Sequence, residues 1–335
     1  MSVGSKPGVA ERLRIDVYLT PDELRAAMAE DVRRGLTAPR KFLPPKYFYD
    51  DDGSDLFERI TEQPEYYPTR AERALLNAIA PALMAEVQPE EIVELGSGSS
   101  SKTRVCLDAA VSSGRLRRYV PVDVSEGMLR ATARDLLAEY PSLTVHGVVA
   151  DFERHLRLLP PPVGKRHVLF LGGTIGNLDP DDRAAFFRRV CGLLAPGDRF
   201  LMGMDMVKKA SIIESAYNDA AGVTAAFNRN VLSAINGALG ADFDPTAFRH
   251  HAFFDRSRSR IEMHLVSERE QVARIPTIGL AVRFREGEGI HTENSYKFTK
   301  KAMTAELRAA GLRVRRWYTN GDRRELFGMV LAGPA

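Results

Sequence analysis

The sequence predicts an α/β fold: a doubly wound parallel sheet that ends in a β-hairpin, with a second, α+β lobe inserted. Three observations carry this. From residue 91 short apolar strands alternate with helical segments, the rhythm of a parallel sheet covered on both faces. Two closely spaced strand-like segments end the chain, as a terminal hairpin would. Between them, residues 208–296 break the rhythm and bring in the apolar–polar alternation of antiparallel strands with one solvated face.

Residues 10–70 are mixed, with a helical pattern around Pro21–Gly35. Leu43-Pro44-Pro45-Lys46-Tyr47-Phe48-Tyr49 cannot be a regular helix, because proline removes a donor and restricts its neighbour. Glu72–Ala85 reads as a helix, with Leu75, Leu76, Ile79 and Leu83 at helical spacing. Strands are predicted at Glu91–Leu95, Tyr119–Val124, Thr144–Ala150, His167–Gly172 and Arg199–Met204, with helices at Glu126–Glu139 and Pro180–Leu194. The insertion holds a helix, Ala221–Leu239, and a strand, Arg260–Val266, whose Ile261, Met263 and Leu265 share a face. Helix Thr299–Ala310 then stops at Gly311, a natural C′ residue, before strands Arg313–Tyr318 and Leu326–Ala332. Residues 70–207 and 297–335 therefore form one domain, and residues 15–69 pack with 208–296 as the other.

Composition excludes several classes. The 335 residues are 44% hydrophobic, enough for a sizeable core, and carry a formal charge of only +3. Lys and Arg are scattered instead of forming the stripe that nucleic acid requires. Cys106 and Cys191 show no disulfide framework and no metal-ligand spacing, and read as reduced core residues. The seven histidines show no metal-ligand pairing either. Met1–Val9 has no apolar run, so no signal peptide is expected. No stretch reaches the roughly 18 uncharged apolar residues of a membrane span. The expectation is a cytoplasmic monomer acting on a small molecule, without nucleic-acid, membrane or metal partners.

The chemistry starts at Glu94-Leu95-Gly96-Ser97-Gly98-Ser99-Ser100, where the first strand of the alternating region meets its helix. Ligands of open α/β sheets bind beyond the carboxyl ends of the strands, and glycines let backbone approach them closely. Asp123 ends the next strand, where a carboxylate can accept both ribose hydroxyls. Asp151 ends the third, placed to accept from an adenine amino group while Phe152 packs on the base. Two cofactor classes fit such a loop. A nicotinamide-dependent oxidoreductase would show G-x-G-x-x-G, but Ser101 stands at the third position. The acidic strand ends, Glu94 included, suit the cationic sulfonium of S-adenosylmethionine better than a pyrophosphate.

Taken with Leu43–Asp50, Gly53–Phe57, Pro64–Arg70, Leu171–Leu178 (LGGTIGNL) and Ala216–Asn230 (AYNDAAGVTAAFNRN), that loop makes the chain resemble a known family. This is the histidine-specific, S-adenosylmethionine-dependent Nα-methyltransferases of ergothioneine biosynthesis. The resemblance runs from about Gly35 to the C-terminus. It implies a class I methyltransferase domain, Rossmann-like, plus an amino-acid-binding lobe. It implies transfer to the α-amino group of L-histidine, three times, giving hercynine. It places Tyr66 and Tyr217 on the substrate carboxylate, Asn177 at the α-amino end and Tyr49 near the reacting nitrogen, where Tyr49 is a candidate catalytic proton relay or orienter. Glu293 and Ser295 read the imidazole, and Met263 lines the ring pocket. Gly96, Gly98, Asp123, Asp151 and Phe152 hold the cofactor, with Lys102 toward its methionine carboxylate. Gly173, where some relatives carry serine, is a minor departure.

The residues themselves support that specificity. In Ile290–Tyr296, positions i and i+2 of a strand face one side, so Glu293 and Ser295 can point at one ligand. Imidazole has two distinct nitrogens, which a carboxylate and a hydroxyl together satisfy. Without the resemblance, Glu293 and Ser295 read equally as a solvated strand face, Met263 as core filler, and the tyrosines as core or surface aromatics. A related methyltransferase for another aromatic amino acid also remains open. Methyl transfer needs the neutral amine held in line with the donor; a neighbouring sulfonium lowers the amine's pKa, so no strong base is required.

Overall fold

The structure, a computed structural model, describes residues 12–320 and 326–335. The signal-peptide reading of Met1–Val9 lies outside them. In chain order the first elements are strand β1 (Leu13–Val17) and helices α1 (Pro21–Leu36), α2 (Asp51–Glu62) and α3 (Tyr67–Val87). Then come β2 (Glu91–Leu95), α4 (Arg104–Val111), β3 (Arg118–Asp123), α5 (Glu126–Glu139) and β4 (Thr144–Val149). They are followed by β5 (Arg166–Phe170), α6 (Pro180–Leu193), β6 (Arg199–Asp205), α7 (Ala210–Ser215) and α8 (Val223–Leu239). Strands β7 (Phe248–Asp255), β8 (Arg260–Ser267), β9 (Gln271–Ile275), β10 (Leu280–Phe284) and β11 (Gly289–Tyr296) succeed them. Helix α9 (Lys300–Ala309) and strands β12 (Leu312–Thr319) and β13 (Phe327–Pro334) finish the chain.

The main sheet runs β1-β4-β3-β2-β5-β6-β13-β12. Its first six strands are mutually parallel, and β13 lies antiparallel to both β6 and β12. The predicted α/β class and terminal hairpin are those observed. Central strands are apolar on both faces because helices cover both: every residue of β2 and β5 is buried. Glu91, fully buried on β2, is tolerated because Arg166 meets it at 2.6 Å and Arg118 at 2.5 Å.

The insertion forms a separate antiparallel sheet, β11-β8-β7, and a β9–β10 ribbon. The strict alternation of β8 puts Ile261, Met263 and Leu265 inside, as the sequence predicts. Residues 41–62 do pack on this lobe. Lys41 and Leu43 exchange backbone hydrogen bonds with His291, and Phe48 stacks on Phe227 of α8 with centroids 4.7 Å apart. Burying one such phenyl ring contributes about 1.5–3 kcal/mol. The Leu43–Tyr49 stretch holds only a 3₁₀ turn, Pro45–Phe48. One segment departs from the expected grouping. Residues 13–17 join the main sheet as its edge strand, and pair with β4 from Leu13↔Val145 to Val17↔Val149.

Candidate active site

The carboxyl ends of β2 to β6 open onto a cavity of about 1430 Å³ whose opposite wall is the inserted lobe. All the residues singled out in the sequence line it: Glu94, Gly96, Gly98, Lys102, Asp123, Asp151, Phe152 and Asn177 from the sheet domain, Tyr49, Tyr66, Tyr217, Met263, Glu293 and Ser295 from the other side.

On the sheet side, Gly96 (φ 68°) and Gly98 (φ 48°) hold left-handed backbone that a β-carbon would strain. That conformation sends the Gly98 N–H to an Asp123 oxygen at 2.8 Å; Ser125 N–H takes the other at 3.0 Å. A carboxylate has about four acceptor sites, so Asp123 keeps acceptor capacity for a ribose hydroxyl. Burial raises its pKa, as happens when a carboxylate stands partly desolvated. Asp151 accepts from Glu153 N–H at 2.8 Å, and the Phe152 ring is braced by Phe170 and Phe186 at 5.2 and 5.9 Å. Glu94 lies beneath the loop. Thr103 and Tyr119 donate to its two oxygens, and burial lifts its pKa to about 7. Ser97 Oγ is buried without a partner, an orphaned hydroxyl in a loop that fits a polar ligand. Lys102 is held by buried Glu72 at 2.6 Å, and the same Glu72 accepts from Gly172 N–H at 2.8 Å. The sequence offered no sign of Glu72, which sits on the helix before the alternating region.

On the lobe side, Tyr49, Phe57, Tyr66, Tyr217 and Phe227 form an aromatic wall, with neighbouring centroids 5.6–6.4 Å apart. Burial raises the phenol pKa of Tyr66 and Tyr217, so both stay neutral. Glu293 and Met263 face each other across β11 and β8. Asn177 ends a 3₁₀ turn, Thr174–Asn177, and hydrogen-bonds Glu293. Burial raises the Glu293 pKa to about 7 despite that bond and the nearby Lys297.

Two features escaped the sequence reading. Beneath Tyr217 and Ser295 lies a buried network of Lys297, Asp205, Tyr67 and Lys208. Lys297 Nζ reaches Ser295 Oγ at 2.9 Å, Asp205 at 3.0 Å and Tyr217 at 3.1 Å. Tyr67 donates to Asp205 at 2.7 Å, and Lys208 donates to both. Continuing the Glu293, Ser295 alternation one step reaches Lys297, the signal that was there to find. The second is a cluster: Glu262, His264 and His291 bring ligand atoms within 4.8 Å of one another across β8 and β11. Spacing along one strand could not reveal a cross-strand cluster. Arg260 already meets Glu262 at 3.0 Å and Arg258 lies 3.6 Å away, so positive charge is in place there.

A parallel sheet with this strand order, a glycine loop after β2 and acidic ends on β3 and β4 has the build of a class I, S-adenosylmethionine-dependent methyltransferase. The chain belongs to the family described as histidine-specific, SAM-dependent methyltransferases, which it matches over residues 28–333. It is a methyltransferase, and its cofactor is S-adenosylmethionine. The histidine N-alpha-methyltransferase of Mycolicibacterium smegmatis is 48% identical over 317 residues, 94% of this chain and 97% of that protein. That of Mycobacterium tuberculosis is 46% identical over 323 residues, 96% of this chain and 99% of that protein. Ergothioneine biosynthesis protein 1 of Schizosaccharomyces pombe is 30% identical over 239 residues, 68% of this chain and 31% of that protein. The nicotinamide alternative is set aside. Among the described residues no helix is long and apolar enough to cross a membrane.

Proposed function

We propose that the protein methylates the α-amino nitrogen of free L-histidine, three times in succession, to Nα,Nα,Nα-trimethylhistidine, the first step of ergothioneine biosynthesis. The observation that carries this reading is the Glu293–Ser295 pair, which lines one cavity with Met263 from the facing strand. An acceptor and a hydroxyl at that spacing match the two nitrogens of one imidazole. The names of the relatives point the same way. The protein acts as a cytoplasmic monomer.

Bound S-adenosylmethionine supplies an electrophilic methyl group on a cationic sulfur. The chain's residues do the rest. Asp123 and Asp151 offer acceptors for ribose and adenine, Phe152 packs on the base, and the glycine loop admits the cofactor. Lys102, paired with Glu72, takes the methionine carboxylate. Residues 70–207 and 297–335 thus serve the cofactor and 15–69 with 208–296 the amino acid, apart from the edge strand β1 and from Asn177, which the sheet domain contributes to the substrate. Tyr66 donates to the substrate carboxylate, with Tyr217 beside it, and Asn177 orients the α-amino end. Tyr49 lines the same cavity as Glu293 and Asp123, its ring against Phe57 and Phe227. A phenol keeps its proton at neutral pH, which makes Tyr49 an orienting donor. The aromatic wall suits the quaternary ammonium that three methylations leave behind.

The test is direct. The protein is incubated with S-adenosylmethionine and each amino acid in turn, and product masses are read. Histidine should gain up to three methyl groups. Equal kcat/KM for histidine and tryptophan would overturn the histidine assignment while leaving methyl transfer intact.

A further inference from the structure

Lys297 is more than a buried charge with a counter-ion. Its side chain is 1% exposed, and all three of its donors are spent: on Asp205, on Ser295 Oγ and on Tyr217. Tyr217 in turn donates its own hydrogen to Ser295 Oγ at 2.6 Å. Ser295 therefore receives two hydrogen bonds. A hydroxyl has two acceptor sites and one hydrogen, so both acceptor sites are filled. Only the hydrogen is left, and Ser295 lines the cavity. On the same strand two residues earlier, Glu293 offers a carboxylate, which when ionised only accepts.

We propose that Lys297 is a positioning residue that, with Tyr217, locks Ser295 as a hydrogen-bond donor, so that Ser295 and Glu293 together select a ring with one bare nitrogen and one N–H. The inference rests on the reading that this pair faces the imidazole. Neutral imidazole has that complement, whereas a ring without an acceptor leaves the Ser295 hydrogen unpaired, and buried polar groups left unpaired are what make such sites selective. Lys297 is well suited to the task. Asp205 and Tyr217 hold its charge, and its pKa is raised by them against the cost of burial. Asp205 is itself kept ionised by Lys297 and Lys208, so the lock does not depend on substrate being present.

The experiment uses Lys297→Met, which keeps the aliphatic stem and leaves Asp205 with Tyr67 and Lys208. Steady-state kinetics are measured with histidine and with pyrrolylalanine, whose ring offers a donor and no acceptor. KM for histidine should rise about tenfold, the scale of one lost charge-assisted hydrogen bond. KM for S-adenosylmethionine should stay put. The preference for histidine over pyrrolylalanine should shrink, because an unlocked serine can turn and accept. Adding Ser295→Ala to Lys297→Met should then change the preference little. Should the single variant fail to fold, Asp205→Asn with Lys297→Met and Lys208→Met removes the three charges together and carries the same test. If Ser295→Ala destroys the preference while Lys297→Met leaves it intact, the lock is refuted and the proposed function stands. If Ser295→Ala leaves the preference intact, the reading beneath this inference falls, and the inference with it.

Discussion

Glu293 is a carboxylate kept from bulk water, and that sets its behaviour with pH. Burial lifts its pKa from 4.5 to about 7, so it is fully ionised only on the alkaline side of neutrality. As an ionised acceptor it should bind histidine better as pH rises through 7. The substrate's own ionisations overlap this, and Glu293→Gln separates them. The part of the kcat/KM rise near pH 7 that belongs to Glu293 should vanish in that variant; identical profiles would refute the assignment. Stability moves the opposite way. A carboxyl with a raised folded-state pKa holds its proton between pH 4.5 and about 7 while the unfolded chain has lost it, so stability falls as pH rises across that window. Glu293→Gln should therefore gain on the order of 2 kcal/mol over wild type at pH 8, read from denaturant midpoints. In binding, Glu293→Ala should cost histidine on the order of 2 kcal/mol. Joined with Met263→Val, which frees space beside the ring, it should move preference toward tryptophan in competition kinetics.

Between elements, the Thr174–Asn177 turn packs backbone to backbone on β11. A β-carbon on Gly176 would stand 3.0 Å from the Tyr296 carbonyl oxygen and 3.3 Å from its nitrogen. Both are backbone atoms that cannot swing aside. Gly176→Ala should push the turn off β11, and Asn177 with it, raising KM for histidine several-fold while cofactor affinity holds; an unchanged KM would show that the turn yields elsewhere. This contact also marks what the sequence reveals and what it hides. Strands β2 to β6 are legible because burial on both faces makes each an apolar run, and Asp123 and Asp151 are legible because they end such runs. Residues Leu13–Val17 are not, because an edge strand stays partly exposed and LRIDV lacks a clean period. Glu293 and Ser295 follow from alternation within one strand. Asp205, Glu72, and the Glu262–His264–His291 cluster depend on partners far off in sequence, which no local period encodes.

At the scale of the molecule, the cavity is a seam between a sheet domain that presents carboxylates and a lobe that presents phenols. Each ligand should therefore stabilise the protein through its own half. A ligand that binds only the folded state adds RT ln(1 + [L]/Kd), about 2.7 kcal/mol at a hundred times its Kd. S-Adenosylhomocysteine and histidine should each raise Tm when added alone. Asp123→Ala loses one carboxylate of the cofactor half and should weaken cofactor binding by about 1–3 kcal/mol. At fixed ligand concentration its cofactor-induced Tm shift should shrink, and its histidine-induced shift should persist. Tyr217→Phe removes a phenol of the lobe half and should do the converse. The two variants make a crossed design, read by thermal melts of the intact chain. If Asp123→Ala abolished the histidine shift as fully as the cofactor shift, the halves would be a single unit, and the assignment of cofactor to the sheet domain and amino acid to the lobe would fail.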